Sequence, residues 1–162
     1  MFDFFKKKKK VYEMKAAADG KVIPMTEAAD QVFSSLALGN GVVIRPEKDV
    51  VVAPADGKVT VMMKESNHAI GMELDGGIEI LIHIGVDTVN LKGEGFTPLV
   101  TAQENVKAGT ELIRFDRETL EAKGYCMEVM QIVLDGETAS LVQYQTGMKA
   151  KAGETVVGTW QV

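Results

Sequence analysis

From Val11 onward the apolar positions fall in short runs rich in Val and Ile, separated by polar turns marked with glycine. Strands of this kind suit the pleated, half-buried surface of a sandwich or barrel. The pattern predicts strands at Gly41–Ile44, Val50–Ala53, Lys58–Met63, Ala69–Leu74 and Glu79–Val86. It predicts others at Glu111–Phe115, Glu128–Leu134, Ser140–Gln143 and Thr155–Trp160. Asp19-Gly20, Asp56-Gly57, Asp75-Gly76-Gly77 and Asp135-Gly136 read as hairpin turns. Helix is scarce. Glu27–Ser34 fits a turn or two, and Arg117–Lys123 fits a short helix with Asp116 as its cap and Gly124 at its end.

Two segments echo each other. Ala18-Asp19-Gly20-Lys21-Val22 returns as Ala55-Asp56-Gly57-Lys58-Val59, and Val106-Lys107-Ala108-Gly109-Thr110-Glu111-Leu112 returns as Ala150-Lys151-Ala152-Gly153-Glu154-Thr155-Val156. The copies are too few for a solenoid. They point to one all-β domain, residues 11–162, made from two similar halves.

Charge changes the picture at one end. The 162-residue chain carries a net charge of -5, but residues 1–10 hold five lysines and a single aspartate. The rest of the chain is clearly acidic, which disfavours nucleic acid as a partner. Phe2, Phe4 and Phe5 precede the lysines, so residues 1–10 read either as a solvated tail or as a contact with an anionic membrane surface. No apolar run has the length of a bilayer span. Cys126 is the one cysteine, which fits a reducing compartment and reads as a buried or inert thiol. The expectation is a soluble, cytoplasmic monomer; peripheral contact with the inner face of the membrane through residues 1–10 is the alternative.

The candidate chemistry rests on the two histidines, His68 and His83. A lone histidine in an apolar strand such as Glu79–Val86 is usually structural, and that reading stays open from the residues alone. An imidazole titrates at about 6.5, so a neutral nucleophilic nitrogen is available at pH 7. One ring can attack a phosphoryl group while a second N–H donor beside it stabilises the charge. Ser66 lies near His68, and Asp87, four residues past His83, shares its face if the strand continues that far. Other chemistries fit less well. Gly93-Glu94-Gly95 lacks the spacing of a phosphate-binding loop. Position 85 is glycine, where a zinc peptidase of related architecture would place a second histidine. Two histidines and one cysteine fall short of a structural zinc set. The nine methionines read as core filler.

Ile82-His83-Ile84-Gly85-Val86-Asp87-Thr88-Val89, followed by Leu91-Lys92-Gly93-Glu94-Gly95-Phe96, resembles the signature of the glucose-type enzyme IIA family of the bacterial phosphoenolpyruvate-dependent sugar phosphotransferase system. Ser66-Asn67-His68-Ala69-Ile70-Gly71, Ala29-Asp30-Gln31-Val32-Phe33 and Val52-Ala53-Pro54-Ala55-Asp56-Gly57-Lys58-Val59 resemble further stretches of it. The resemblance covers roughly residues 12–160. It implies an antiparallel β-sandwich of two related halves, with one or two short helices. It implies that His83 accepts a phosphoryl group on Nε2 from the phosphocarrier HPr and passes it to a cysteine of a IIB domain for sugar uptake. His68 would stabilise that group, Ser66 would hold the His68 ring, and Asp87 would support the site. Val32, Phe33, Leu38 and Val89 would form an apolar docking rim, and Asp30 and Asp87 would meet basic residues of HPr. No cofactor is required. The resemblance also implies that a zinc ion can be shared with a partner through His68 and His83, and that transporters or kinases can be regulatory partners. Two departures stand out. The first Asp-Gly turn reads Ala17-Ala18-Asp19-Gly20, where the family usually has a proline. Cys126-Met127-Glu128-Val129 lacks the usual Thr-Pro before its strand. A second resemblance, of Met148-Lys149 to the lysine hairpin of a biotin or lipoyl carrier, is faint and leaves the histidines unexplained.

Overall fold

A computed structural model describes residues 9–162. The strands are β1 (Val11–Lys15), β2 (Gly20–Pro24), β3 (Gly39–Pro46), β4 (Val50–Val52), β5 (Gly57–Met62), β6 (Ala69–Leu74) and β7 (Ile78–Ile84). After these come β8 (Phe96–Pro98), β9 (Asn105–Val106), β10 (Glu111–Phe115), β11 (Val129–Leu134), β12 (Gln143–Tyr144), β13 (Lys149–Ala150) and β14 (Val156–Gln161). Two short helices, α1 (Gln31–Ser34) and α2 (Arg117–Ala122), complete the list of regular elements apart from single 3₁₀ turns.

The strands form an antiparallel sandwich. One eight-stranded sheet runs β13-β2-β3-β11-β7-β6-β5-β9, and two three-stranded sheets run β1-β14-β12 and β4-β10-β8. The order has a two-fold symmetry about the β11–β7 pair: β2 answers β5, β3 answers β6, and β13 answers β9. One half is the continuous segment from β4 to β10. The other is split around it, β1–β3 before and β11–β14 after.

The sequence echoes are the joints of this duplication. Asp19 Oδ1 accepts from the Ala152 N–H at 2.7 Å, and Asp56 Oδ1 accepts from the Ala108 N–H at 2.8 Å. In the same two loops the Gly153 N–H donates to Ala16 O at 2.9 Å and the Gly109 N–H to Ala53 O at 2.8 Å. Each Asp-Gly corner thus binds its own Lys-Ala-Gly loop. This corrects the hairpin reading of three turns. Only Asp75-Gly76-Gly77 closes a hairpin, between β6 and β7. Asp19, Asp56 and Asp135 stand where the chain leaves one sheet for another, because the apolar face of the next strand belongs on the opposite layer.

Alternation sets the core. On β7, Ile80, Ile82 and Ile84 are fully buried between the layers. Leu81 and His83 point to the other side of the sheet, where Ile23, Met25, Phe33, Val43, Met130 and Ile132 form a second cluster. Residues 25–36 cover this outer face. A buried amide ties the layers together: Gln131 accepts from the Ala17 N–H and donates to Lys15 O, both at 2.9 Å.

Four smaller expectations change. Ser140–Gln143 is not a strand; Ala139–Leu141 makes a 3₁₀ turn before the two-residue β12. Asp116 precedes α2, but its side chain makes no capping bond; its carbonyl accepts from the Leu120 N–H. Glu27–Ser34 divides into a 3₁₀ turn at Met25–Glu27 and α1, whose cap Asp30 accepts from the Val32 N–H at 2.8 Å. Cys126 is exposed rather than buried. The reading of residues 1–10 as a tail or membrane contact falls outside the described residues up to Lys8. Lys10 already pairs with the other chain end, its N–H donating to Val162 O at 3.1 Å.

Candidate functional site

The β6–β7 hairpin brings the two histidines together. Ala69 faces His83 in the ladder, and the Ile84 N–H donates to His68 O at 2.8 Å. His68 therefore lies one position diagonal to His83, and the rings meet edge-on with centroids 4.7 Å apart and planes at 83°. His68 is buried and His83 is half-buried. The Nδ1 atom of each ring is enclosed and has no hydrogen-bond partner.

Burial and the neighbouring His68 push the His83 ring down to about 4; the Gly85 backbone and the Asp30 carboxylate oppose this more weakly. Burial also lowers His68. Both rings are neutral at pH 7, so each has one N–H donor and one nitrogen lone pair.

The strand stops after Ile84 for a physical reason. Gly85 takes φ +80, and a Cβ there would stand 2.4 Å from the Thr88 methyl. The buried Thr88 hydroxyl donates to Ile84 O, and the Gly85 N–H donates to Glu128 O at 2.8 Å. Asp87, at φ 59, lies beyond this turn. The condition for Asp87 to share a face with His83, a strand continuing to position 87, is therefore not met. Asp30, the cap of α1, is the carboxylate whose charge opposes the lowering of the His83 ring, as the smallest of the causes acting on it. Ser66 is buried, and its hydroxyl donates to Met63 O at 3.5 Å rather than to the His68 ring.

The rim residues divide. Val32, Leu38 and Val89 are exposed, at 54%, 39% and 53%. Phe33 is buried, and its ring lies against His83 with centroids 4.8 Å apart. The sequence pattern gives no role to Thr88 or Gln131, and it marks Glu128 only as the first residue of a strand. Their signal was weak: single polar residues in apolar stretches, visible only as exceptions to the pattern. Among the described residues, no group of three or more His, Cys, Asp or Glu could hold a metal ion. The two imidazoles offer two ligands, so zinc would need the rest from a partner chain. No helix among the described residues is long and apolar enough to cross a membrane.

A two-layer antiparallel sandwich with a neutral histidine pair on its outer face is the frame into which known proteins fit. The family model of the phosphoenolpyruvate-dependent sugar phosphotransferase system, EIIA 1, matches residues 12–139, and the chain belongs to this family. It is 37% identical over 145 residues to the glucose-specific EIIA component of Haemophilus influenzae, covering 90% of this chain and 86% of that protein. It is also 37% identical over 147 residues to the mannose-specific EIIBCA component of Corynebacterium glutamicum; this covers 91% of this chain but only 21% of that longer protein. The solved glucose permease IIA from Mycoplasma capricolum superposes with a TM-score of 0.79 at 33% identity, covering 93% of this chain and 96% of that one.

Proposed function

We propose that His83 is the phosphoryl acceptor of a sugar phosphotransferase chain. The phosphoryl group leaves a histidine nitrogen of phospho-HPr, and a new P–N bond forms at Nε2 of His83. That bond then breaks as a P–S bond forms on a cysteine of a IIB domain. The observation that carries this reading is the edge-on pair of neutral rings. His83 brings a lone pair, and His68 stands beside it as a donor to the equatorial oxygens. With each Nδ1 enclosed, Nε2 is the open nitrogen. Asp30 is placed to stabilise positive charge on the His83 ring.

Val32, Leu38 and Val89 supply an apolar docking rim, and the acidic body speeds encounter with a basic carrier. The Corynebacterium relative joins EIIA to B and C units in one chain, which supports a IIB domain as the receiver here. A zinc ion bridging the pair to a regulatory partner would use the same two rings.

The test supplies phosphoenolpyruvate, enzyme I and HPr and measures acid-labile phosphate on the chain. The wild type should label, and His83→Ala should not. Persistent labelling of His83→Ala overturns the assignment.

A further inference from the structure

Glu128 immediately precedes β11 and is buried, at 8% exposed. Its Oε1 accepts from the Ala29 N–H at 2.9 Å, and its Oε2 lies 3.5 Å from Arg45 Nε. Its own carbonyl holds the Gly85 N–H at the end of the strand that carries His83. Both sides of the site therefore meet at one residue.

The other side is the segment 25–35, which bears Asp30 and Phe33. Its other turn and cap hydrogen bonds are local: Ala28 N–H to Met25 O, Phe33 and Ser34 N–H to Asp30 O, Ser35 N–H to Gln31 O, and Leu36 N–H to Phe33 O. α1 has four residues, too few to hold itself together in water. Apart from apolar packing, the Ala29–Glu128 bond is what fastens this segment to the sheet.

We infer that Glu128 is a positioning residue. It holds residues 25–35 on the outer face so that the Phe33 ring keeps its place against the His83 ring. It acts through that ring and touches no substrate. A side chain without an oxygen here would leave the Ala29 N–H without its acceptor and Arg45 without its ion-pair partner. The family resemblance leads one to expect Thr-Pro before this strand, and proline has no side-chain acceptor.

The inference rests on the phosphocarrier reading of His83, but two of its readouts need no phosphoryl donor. In the full chain, Glu128→Met keeps the length of the side chain without an acceptor, and Glu128→Gln keeps the acceptor. Hydrogen exchange at the Ala29, Phe33 and Ser34 amides should be roughly tenfold faster in Glu128→Met, the scale of one lost part-buried bond. The His83 ring-proton resonances, shaped by the adjacent Phe33 ring, should move as well. Phosphoryl acceptance from HPr should weaken mainly through KM. Glu128→Gln should restore all three. Unchanged exchange and unchanged His83 resonances in Glu128→Met overturn the inference. So does a Glu128→Gln as loose as Glu128→Met, or an unfolded Glu128→Met beside a folded Glu128→Gln. If labelling of His83 fails while exchange and resonances respond as stated, the phosphocarrier reading fails and the tie stands.

Discussion

The ring of His68 meets the ring of His83 edge-on at 4.7 Å, although the two residues are fifteen apart in the chain. In this arrangement one ring can carry a group while the other donates to it. His68→Gln should still accept phosphate from HPr but pass it to a IIB domain roughly a hundredfold more slowly, the scale of one missing preorganised donor. Rapid-quench transfer to IIB measures this. An unchanged rate would exclude a stabilising role for His68.

The buried His83 ring makes stability depend on pH. In the unfolded chain the ring takes up a proton near 6.5; in the folded chain it resists until about 4. The unfolded state binds more protons between these values, so stability falls as pH drops from 6.5 to 4 and is unaffected by this group above 6.5. The full effect is on the order of 3 kcal/mol. Urea midpoints across this window should fall more steeply for wild type than for His83→Gln. Asp19 and Asp56, both lowered by their loop N–H bonds and nearby lysines, act at the acid end, below 3.8.

Gly85 ends the strand that carries His83. Its φ of +80 and the nearby Thr88 methyl leave no place for a side chain. Gly85→Ala should cost about 1–3 kcal/mol through backbone strain and displace the His83 turn. The thermal midpoint and the extent of phosphate labelling should both drop. A variant as stable and as readily labelled as wild type would show that the turn tolerates a Cβ.

Val32 and Val89 are exposed apolar residues on two segments, one next to Phe33 on α1 and the other four residues past Gly85. Val32→Lys or Val89→Lys places a positive charge where a basic carrier should dock. KM for phospho-HPr should rise about tenfold with little change in kcat, and the thermal midpoint should stay within a degree or so, since neither residue packs in the core. Equal KM values would remove these residues from the docking face.

Much of the fold was legible because strand periodicity and turn chemistry are local. The Asp75-Gly76-Gly77 hairpin follows from its own residues and the alternation on either side. The other Asp-Gly turns use the same dipeptide but pass the chain between layers. What distinguishes them is the loop each aspartate binds, 52 residues away for Asp56 and 133 for Asp19. Phe33 reads as core from its own apolar character, and only the family resemblance placed it in a docking rim beside Val32. Its burial against His83 is decided by packing on Val43, Met130 and Ile132.

The sequence by itself determined the β class, the duplication echoed in its Asp-Gly and Lys-Ala-Gly segments, and the identity of the two histidines. These depend on residue type and short spacing. Only the tertiary structure decided how the histidines are supported. Asp87 is carried past the turn that Gly85 imposes, and the Phe33 ring packs on His83 from a segment fifty residues earlier. Ser66 bonds the backbone instead of the ring. Glu128 fastens the whole arrangement from across the sheet. Each of these contacts depends on which strands pair and which face is covered. That is a property of the assembled sandwich and of no stretch of chain alone.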